Sequence, residues 1–155
     1  MLICPGCLSL DGRTESCSRT VAFDLLHIGH IRHFKAAAKL GGTLVVTVTP
    51  DVCVNKGPGR PAFSQQLRAE AIAELECVDF VAINMTNDGV PWSSAVETIC
   101  LLKPNVYVKG KEYADRWTTA LECEHRALVA HGGVLVFTDT MLSSSTKLME
   151  AVLAS

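Results

Sequence analysis

HIRHFKAAAKLGGTLVVTVT, residues 30–49, is the stretch that decides the fold. Its first half places Ile31, Phe34 and Ala38 on one helical face and stops at Gly41-Gly42, a strong helix-ending signal. Its second half, residues 43–49, is an unbroken run rich in β-branched residues. A strand covered on both faces reads this way, and parallel strands are covered on both faces. A helix that hands over to such a strand within two residues is one turn of an α/β repeat.

The same alternation continues on both sides. Upstream, residues 20–23 read as a short strand. Downstream, residues 50–63 form a loop with Lys56-Gly57-Pro58-Gly59-Arg60-Pro61 at its centre. Ser64 can cap a helix running to about residue 76, with Leu67, Ala71 and Leu75 on one face. Residues 80–84 are a strand. Residues 91–102 are a helix with Pro91 in its first turn and Lys103-Pro104 closing it. Strands at 106–109 and 134–138 flank a helix at about 120–131 that Gly132-Gly133 ends, and the last helix spans about 144–153. Strands joined through helices run parallel with right-handed crossovers. The expected fold is therefore α/β, a doubly wound parallel sheet of Rossmann-like form, which binds ligands at the carboxyl ends of its strands. Residues 1–18 lack either apolar period, so they are expected as an irregular lead-in outside the sheet, and residues 19–155 as the single domain.

The 155 residues are 48% hydrophobic and 19% charged, with a net charge of -2. That supports a packed core and argues against a globally basic nucleic-acid binder. No apolar run approaches the roughly 18–20 residues that span a bilayer, and no basic-then-apolar leader opens the chain. The seven cysteines are odd in number and scattered. Cys4 and Cys7 have metal-knuckle spacing but lack a second pair, so the cysteines read as incidental thiols of a reducing, cytoplasmic interior.

The chemically specific segment is Phe23-Asp24-Leu25-Leu26-His27-Ile28-Gly29-His30-Ile31. Two histidines three apart, with a glycine between, stand where the first strand gives way to the first long helix. A helix N-terminus carries N–H groups and partial positive charge, so it attracts anions. Gly29 admits a ligand close to the backbone, and each imidazole can donate an N–H to a phosphate oxygen. Metal ligation or two ordinary helix-start histidines are the alternatives. Helical metal sites more often use i, i+4 spacing, and no metal ligand is assigned here.

This segment resembles the signature of the HIGH-motif nucleotidyltransferases, the cytidylyltransferase-like superfamily, and the resemblance runs from about residue 20 to 147. It looks closest to the adenylyltransferase domain of heptose-phosphate enzymes and to cytidylyltransferase domains fused to sugar kinases. Residues 56–61 resemble the family's basic loop. Gln66-Leu67-Arg68 resembles the helix that sends an Arg toward the nucleotide. Val108-Lys109-Gly110-Lys111-Glu112-Tyr113 resembles the segment beside the base. Ser143, Ser144, Ser145 and Thr146 resemble the phosphate-holding start of the last helix. Val21 stands where relatives commonly carry Gly.

The resemblance implies transfer of a nucleoside monophosphate from ATP or CTP to a phosphorylated sugar or polyol, with Mg²⁺ accompanying the nucleotide. It implies His27, His30, Lys56 and Arg68 as the catalytic set. It implies Phe23, Asp24, Gly29, Lys109, Gly110, Glu112 and the Ser/Thr run as nucleotide contacts, and Arg60 and Lys111 as contacts to the substrate phosphate. No nucleic acid or membrane partner is expected, and a homodimer is left open. The other reading is a nucleotide-binding module of the same fold with weak or no catalysis. The cations of these loops follow predicted strands or lie on helix starts, so they are expected to converge on one rim.

Overall fold

The computed structural model describes the backbone of residues 16–21 and, in full, residues 24–54, 57–84 and 95–139. Five strands form one sheet: β1 (Ser16–Val21), β2 (Thr43–Val48), β3 (Phe80–Ile83), β4 (Val106–Gly110) and β5 (Val134–Thr138). Every pairing is parallel and the spatial order is β3-β2-β1-β4-β5. The helices described are α1 (Ile28–Ala38), α2 (Gln65–Ala73), α3 (Val96–Leu102) and α4 (Thr119–Ala130).

The pleat sorts β2 and β4 into two cores, because successive side chains point to opposite faces. Leu44, Val46 and Val48 of β2 and Val108 of β4 pack with Phe34 and Ala37 of α1 and Ile72 of α2. Tyr107, one residue before Val108, packs instead with Ala95, Ile99 and Leu128 on the α3/α4 side. Thus α1 and α2 cover one face, α3 and α4 the other, as a doubly wound sheet requires.

The helix stops work as expected. Gly41 and Gly42 both take positive φ, 96° and 75°, between α1 and β2, where a Cβ would be strained. After α4, Gly132 at φ 78° completes a reciprocal pair of bonds: Gly132 N–H to Val129 O (2.9 Å) and Gly133 N–H to Leu128 O (3.1 Å). Those two bonds satisfy carbonyls the helix end leaves open.

Three elements differ from the sequence expectation. The first strand begins at Ser16, not at residue 20, so residues 16–18 belong to the sheet: Ser16, Cys17 and Ser18 pair with Thr43, Leu44 and Val45 of β2. Cys17 and Ser18 also pair with Val106 and Tyr107 of β4. SCSRTV has no apolar signal, and its central place comes from backbone pairing with two apolar neighbours. Helix α2 keeps the expected period but is rotated by about one residue. Leu67 is 52% exposed, while Arg68 and Ile72 are the buried positions. Helix α3 starts at Val96, after the N-cap Ala95. The expected start at Pro91 lies outside the described residues, as do the last expected helix and Cys4 and Cys7.

Candidate active site

A sheet ordered 3-2-1-4-5 reverses direction between β1 and β4. The segments leaving those two strands diverge there and open a crevice at the carboxyl edge. The segment after β1 carries Asp24, His27 and His30. Strand β4 ends at Gly110 and is followed by a short 3-10 turn, Lys111–Tyr113.

The two histidines cap their own helix. His27 is the N-cap of α1, in extended conformation, and its Nδ1 accepts the Gly29 N–H at 3.2 Å. His30, at the third helical position, accepts the His27 N–H on its own Nδ1 at 3.4 Å. This is a capping box built from two imidazoles, where Ser/Thr and Glu/Gln are the usual pair. The rings stack with centroids 3.7 Å apart. An Nδ1 that accepts a hydrogen bond carries no proton, so both neutral rings hold theirs on Nε2. Two stacked imidazolium ions would repel, and the arrangement suits a pair of neutral Nε2–H donors. The N–H groups expected to meet an anion are partly used inside the turn. Gly29 N–H goes to His27, and His30 N–H goes to His27 O at 2.9 Å.

Sequence reasoning missed His33, one turn further along α1. It is fully buried, and its Nδ1 meets Thr138 Oγ1 at the carboxyl end of β5. The recurrence of histidine at 27, 30 and 33 was the available signal. Its partner, 105 residues away, was not.

Arg60, Arg68, Lys109 and Lys111, the described cations of these motifs, each pair with a carboxylate. Arg60 pairs with Asp24, which is 1% exposed and also accepts the Ala62 N–H at 2.7 Å. Together these bonds pin the loop after β2 to the crevice. Arg68 is 4% exposed. It donates to Thr49 O at 2.8 Å, Phe63 O at 3.1 Å and Asp51 Oδ1 at 2.5 Å. Asp51 in turn exchanges two 3.0 Å bonds with Gln65 at the start of α2. Burial of Arg68 explains the rotation of α2: two acceptors just after β2, Thr49 O and Asp51 Oδ1, and one just before α2, Phe63 O, hold the guanidinium inward. Lys109 pairs with Glu124 at 2.9 Å, both buried. Lys111 pairs with Asp139 at 2.8 Å, both exposed. That bond and the negative charge of Asp139 raise the Lys111 pKa above its ordinary value.

Asp24 and Arg68 line one cavity of about 170 Å³ with Leu26, Phe63 and Ile72. Gly110 lies beneath the Glu112 carboxylate, in the space a Cβ would occupy. Gly29 is buried in the first turn of α1. Phe23, Lys56, Ser143, Ser144, Ser145 and Thr146 lie outside the described residues. Among the described residues, no three His, Cys, Asp or Glu side chains are grouped to hold a metal ion. No helix there is long and apolar enough to cross a membrane.

The family model described as cytidylyltransferase-like matches residues 22–151. The bifunctional protein HldE of Syntrophotalea carbinolica is 32% identical over 134 residues, covering 84% of this chain and 25% of its own length. HldE of Methylococcus capsulatus is 36% identical over 132 residues, covering 84% and 26%. The chain thus spans about a quarter of the length of these relatives. Among solved structures, the lipopolysaccharide core biosynthesis protein of Thermoplasma volcanium superposes with a TM-score of 0.66 at 26% identity, over 83% of this chain and 98% of that one. Pantothenate synthetase of Thermus thermophilus, at 16% identity and TM-score 0.53 over 81% of this chain and 55% of that one, shares the fold.

Proposed function

This chain belongs to the cytidylyltransferase-like family, and we propose that it transfers a nucleoside monophosphate from ATP or CTP to a phosphorylated sugar or polyol, releasing pyrophosphate. The observation that carries the reading is the self-capped His27–His30 turn beside the sheet's reversal point. The sugar-phosphate class is supported by the likeness to HldE and to a protein of lipopolysaccharide core biosynthesis. The resemblance to heptose-phosphate adenylyltransferases favours ATP and a heptose-1-phosphate-like acceptor.

The acceptor's phosphate oxygen attacks the α-phosphorus, the bond to the β-phosphate oxygen breaks, and pyrophosphate leaves in line. The attacking group is already anionic near neutral pH, so the protein has to position the reactants and stabilise charge. His27 and His30 donate Nε2–H to the phosphate oxygens. Their Nδ1 bonds fix each ring's tautomer before substrate arrives, so no reorganisation accompanies the reaction. Lys56 meets the departing pyrophosphate, and Ser143, Ser144, Ser145 and Thr146 hold phosphates at the last helix. Arg68 acts from its three-acceptor seat by shaping the loop after β2. Arg60 and Lys111 reach the acceptor phosphate by sharing their carboxylate partners. With Asp24 and Asp51 committed to arginines, the described residues suit Mg²⁺ carried in on the nucleotide rather than caged by the chain. When bound, the ion supplies further neutralisation of phosphate charge.

A pyrophosphate-release assay with ATP and CTP against a panel of sugar 1-phosphates tests this. Release with one pairing, lost in His30→Ala, is the expected result. Nucleotide binding without turnover on any acceptor overturns the enzymatic reading in favour of a binding module.

A further inference from the structure

Glu124 stands on α4, outside every motif of the sequence, yet it is 3% exposed and fully engaged. Its Oε1 accepts the Ala95 N–H at 3.1 Å, at the N-cap of α3. Its Oε2 accepts from Tyr107 Oη at 3.1 Å and from Lys109 Nζ at 2.9 Å. Lys109 and Tyr107 share a face of β4 because they are two residues apart. Held by Glu124, the ammonium lies 5.1 Å from the centroid of the Tyr107 ring and 5.1 Å from that of Tyr113. Both distances are within cation–π range. Tyr113 closes the short turn that leaves β4 at the crevice.

Stability is a weak reason for such a pair. A buried ion pair is about neutral against an apolar replacement of similar volume, because desolvation offsets the attraction. The pair does impose direction. The Glu124 carboxylate holds the Lys109 ammonium inward, under the Tyr113 ring.

We propose that Glu124 is a positioning residue: through Lys109 and the Tyr113 ring it sets residues 110–113 at the nucleotide side of the crevice. This deepens the functional reading above and rests on it. Glu124 touches no substrate. Its effect reaches the nucleotide through the turn it holds.

The test compares wild type, Glu124→Gln, the charge-free double variant Lys109→Met with Glu124→Gln, and an exposed control on α2, Glu70→Gln. Amide hydrogen exchange is read at residues 110–113, with α1 as internal reference. Affinities for ATP and CTP, with Mg²⁺, are read by calorimetry, and KM and kcat wherever turnover is found. Exchange at residues 110–113 rises about tenfold or more in both Glu124 variants while α1 and the control keep wild-type rates. Where turnover is measured, nucleotide KM rises by a larger factor than kcat falls in Glu124→Gln. If Glu124→Gln alone does not fold, the double variant carries the test, since it leaves no uncompensated buried charge. Wild-type exchange at residues 110–113 in the double variant overturns the proposal, because the pair is then merely structural. If wild type binds neither nucleotide, the functional reading fails, and the exchange result still decides whether Glu124 sets the turn.

Discussion

Lys109 and Lys111 leave the same strand two residues apart, and their ion pairs have opposite fates. Lys109 and Glu124 have side chains 7% and 4% exposed, whereas Lys111 and Asp139 are 61% and 78% exposed. The bond lengths differ by 0.1 Å, 2.9 against 2.8 Å. Distance is therefore no guide to consequence. Burial is, because water screens the outer pair and cannot reach the inner one. The inner pair is committed to architecture. The outer one keeps its cation in solvent.

The largest expected effect is on the inner pair. Glu124→Gln leaves the Lys109 ammonium buried without its counter-charge and should lower unfolding free energy by about 3–5 kcal/mol. Urea denaturation of this variant beside Asp139→Asn measures the contrast directly. A similar loss in both would erase the distinction drawn from burial.

His30→Ala sharpens the comparison by separating chemistry from architecture. It should lower kcat by about 10²–10³-fold, the cost typical of one lost transition-state donor, while removing one capping contact worth roughly 1 kcal/mol. His30→Asn, which retains an N–H donor, should lose less rate. Melting temperature and steady-state rate on the same preparation check both. A large fall in melting temperature with turnover per folded molecule unchanged would make His30 structural.

Arg68→Met falls between. It keeps the apolar stem but removes the donor to the buried Thr49 carbonyl and to the Phe63 carbonyl, and should cost about 1–3 kcal/mol of stability. Nucleotide affinity should fall less than in a Lys56→Met variant. The reverse order would show Arg68 swinging out of its seat to meet phosphate.

The smallest effect is at Asp139→Asn, with no measurable change in melting temperature near neutral pH. Asp139 raises the Lys111 pKa. Whatever the pair contributes is therefore present below lysine's ordinary value and lost as pH rises through the raised one. In Asp139→Asn the Lys111 ammonium should titrate at lower pH, which NMR of the side chain reads. An unchanged titration would remove Asp139 as the cause.

Much of this was legible beforehand. The helix stops at Gly41-Gly42 and Gly132-Gly133, the Ser64 cap and the buried character of β2 are local signals. They landed where the pattern put them, within a residue or two. The histidine turn was legible for the same reason: its capping bonds connect residues two and three apart. Strand β1 begins four residues before the expected residue 20, because Ser, Cys and Arg carry no strand period. The phase of α2 is not legible in the sequence, because an apolar Leu67 counts toward a core that in fact takes Arg68. The motifs name the cations, and nothing in them names the acid that each one meets.

The sequence by itself determined a parallel α/β repeat, the glycine stops of its first and fourth helices and a histidine pair at the first helix start. Periods and caps act through bonds spanning a few residues, so a linear reading contains them. Only the tertiary structure decided that a polar segment is the central strand, that Arg68 faces inward, and which carboxylate each cation meets. Those partners lie far along the chain: 36 residues for Asp24 and Arg60, 17 for Asp51 and Arg68, and 28 for Lys111 and Asp139. A charge finds such a partner through the packing of other elements, and that packing also sets how much water remains between them. That is why Lys109 and Lys111, two residues apart in one motif, end in opposite surroundings.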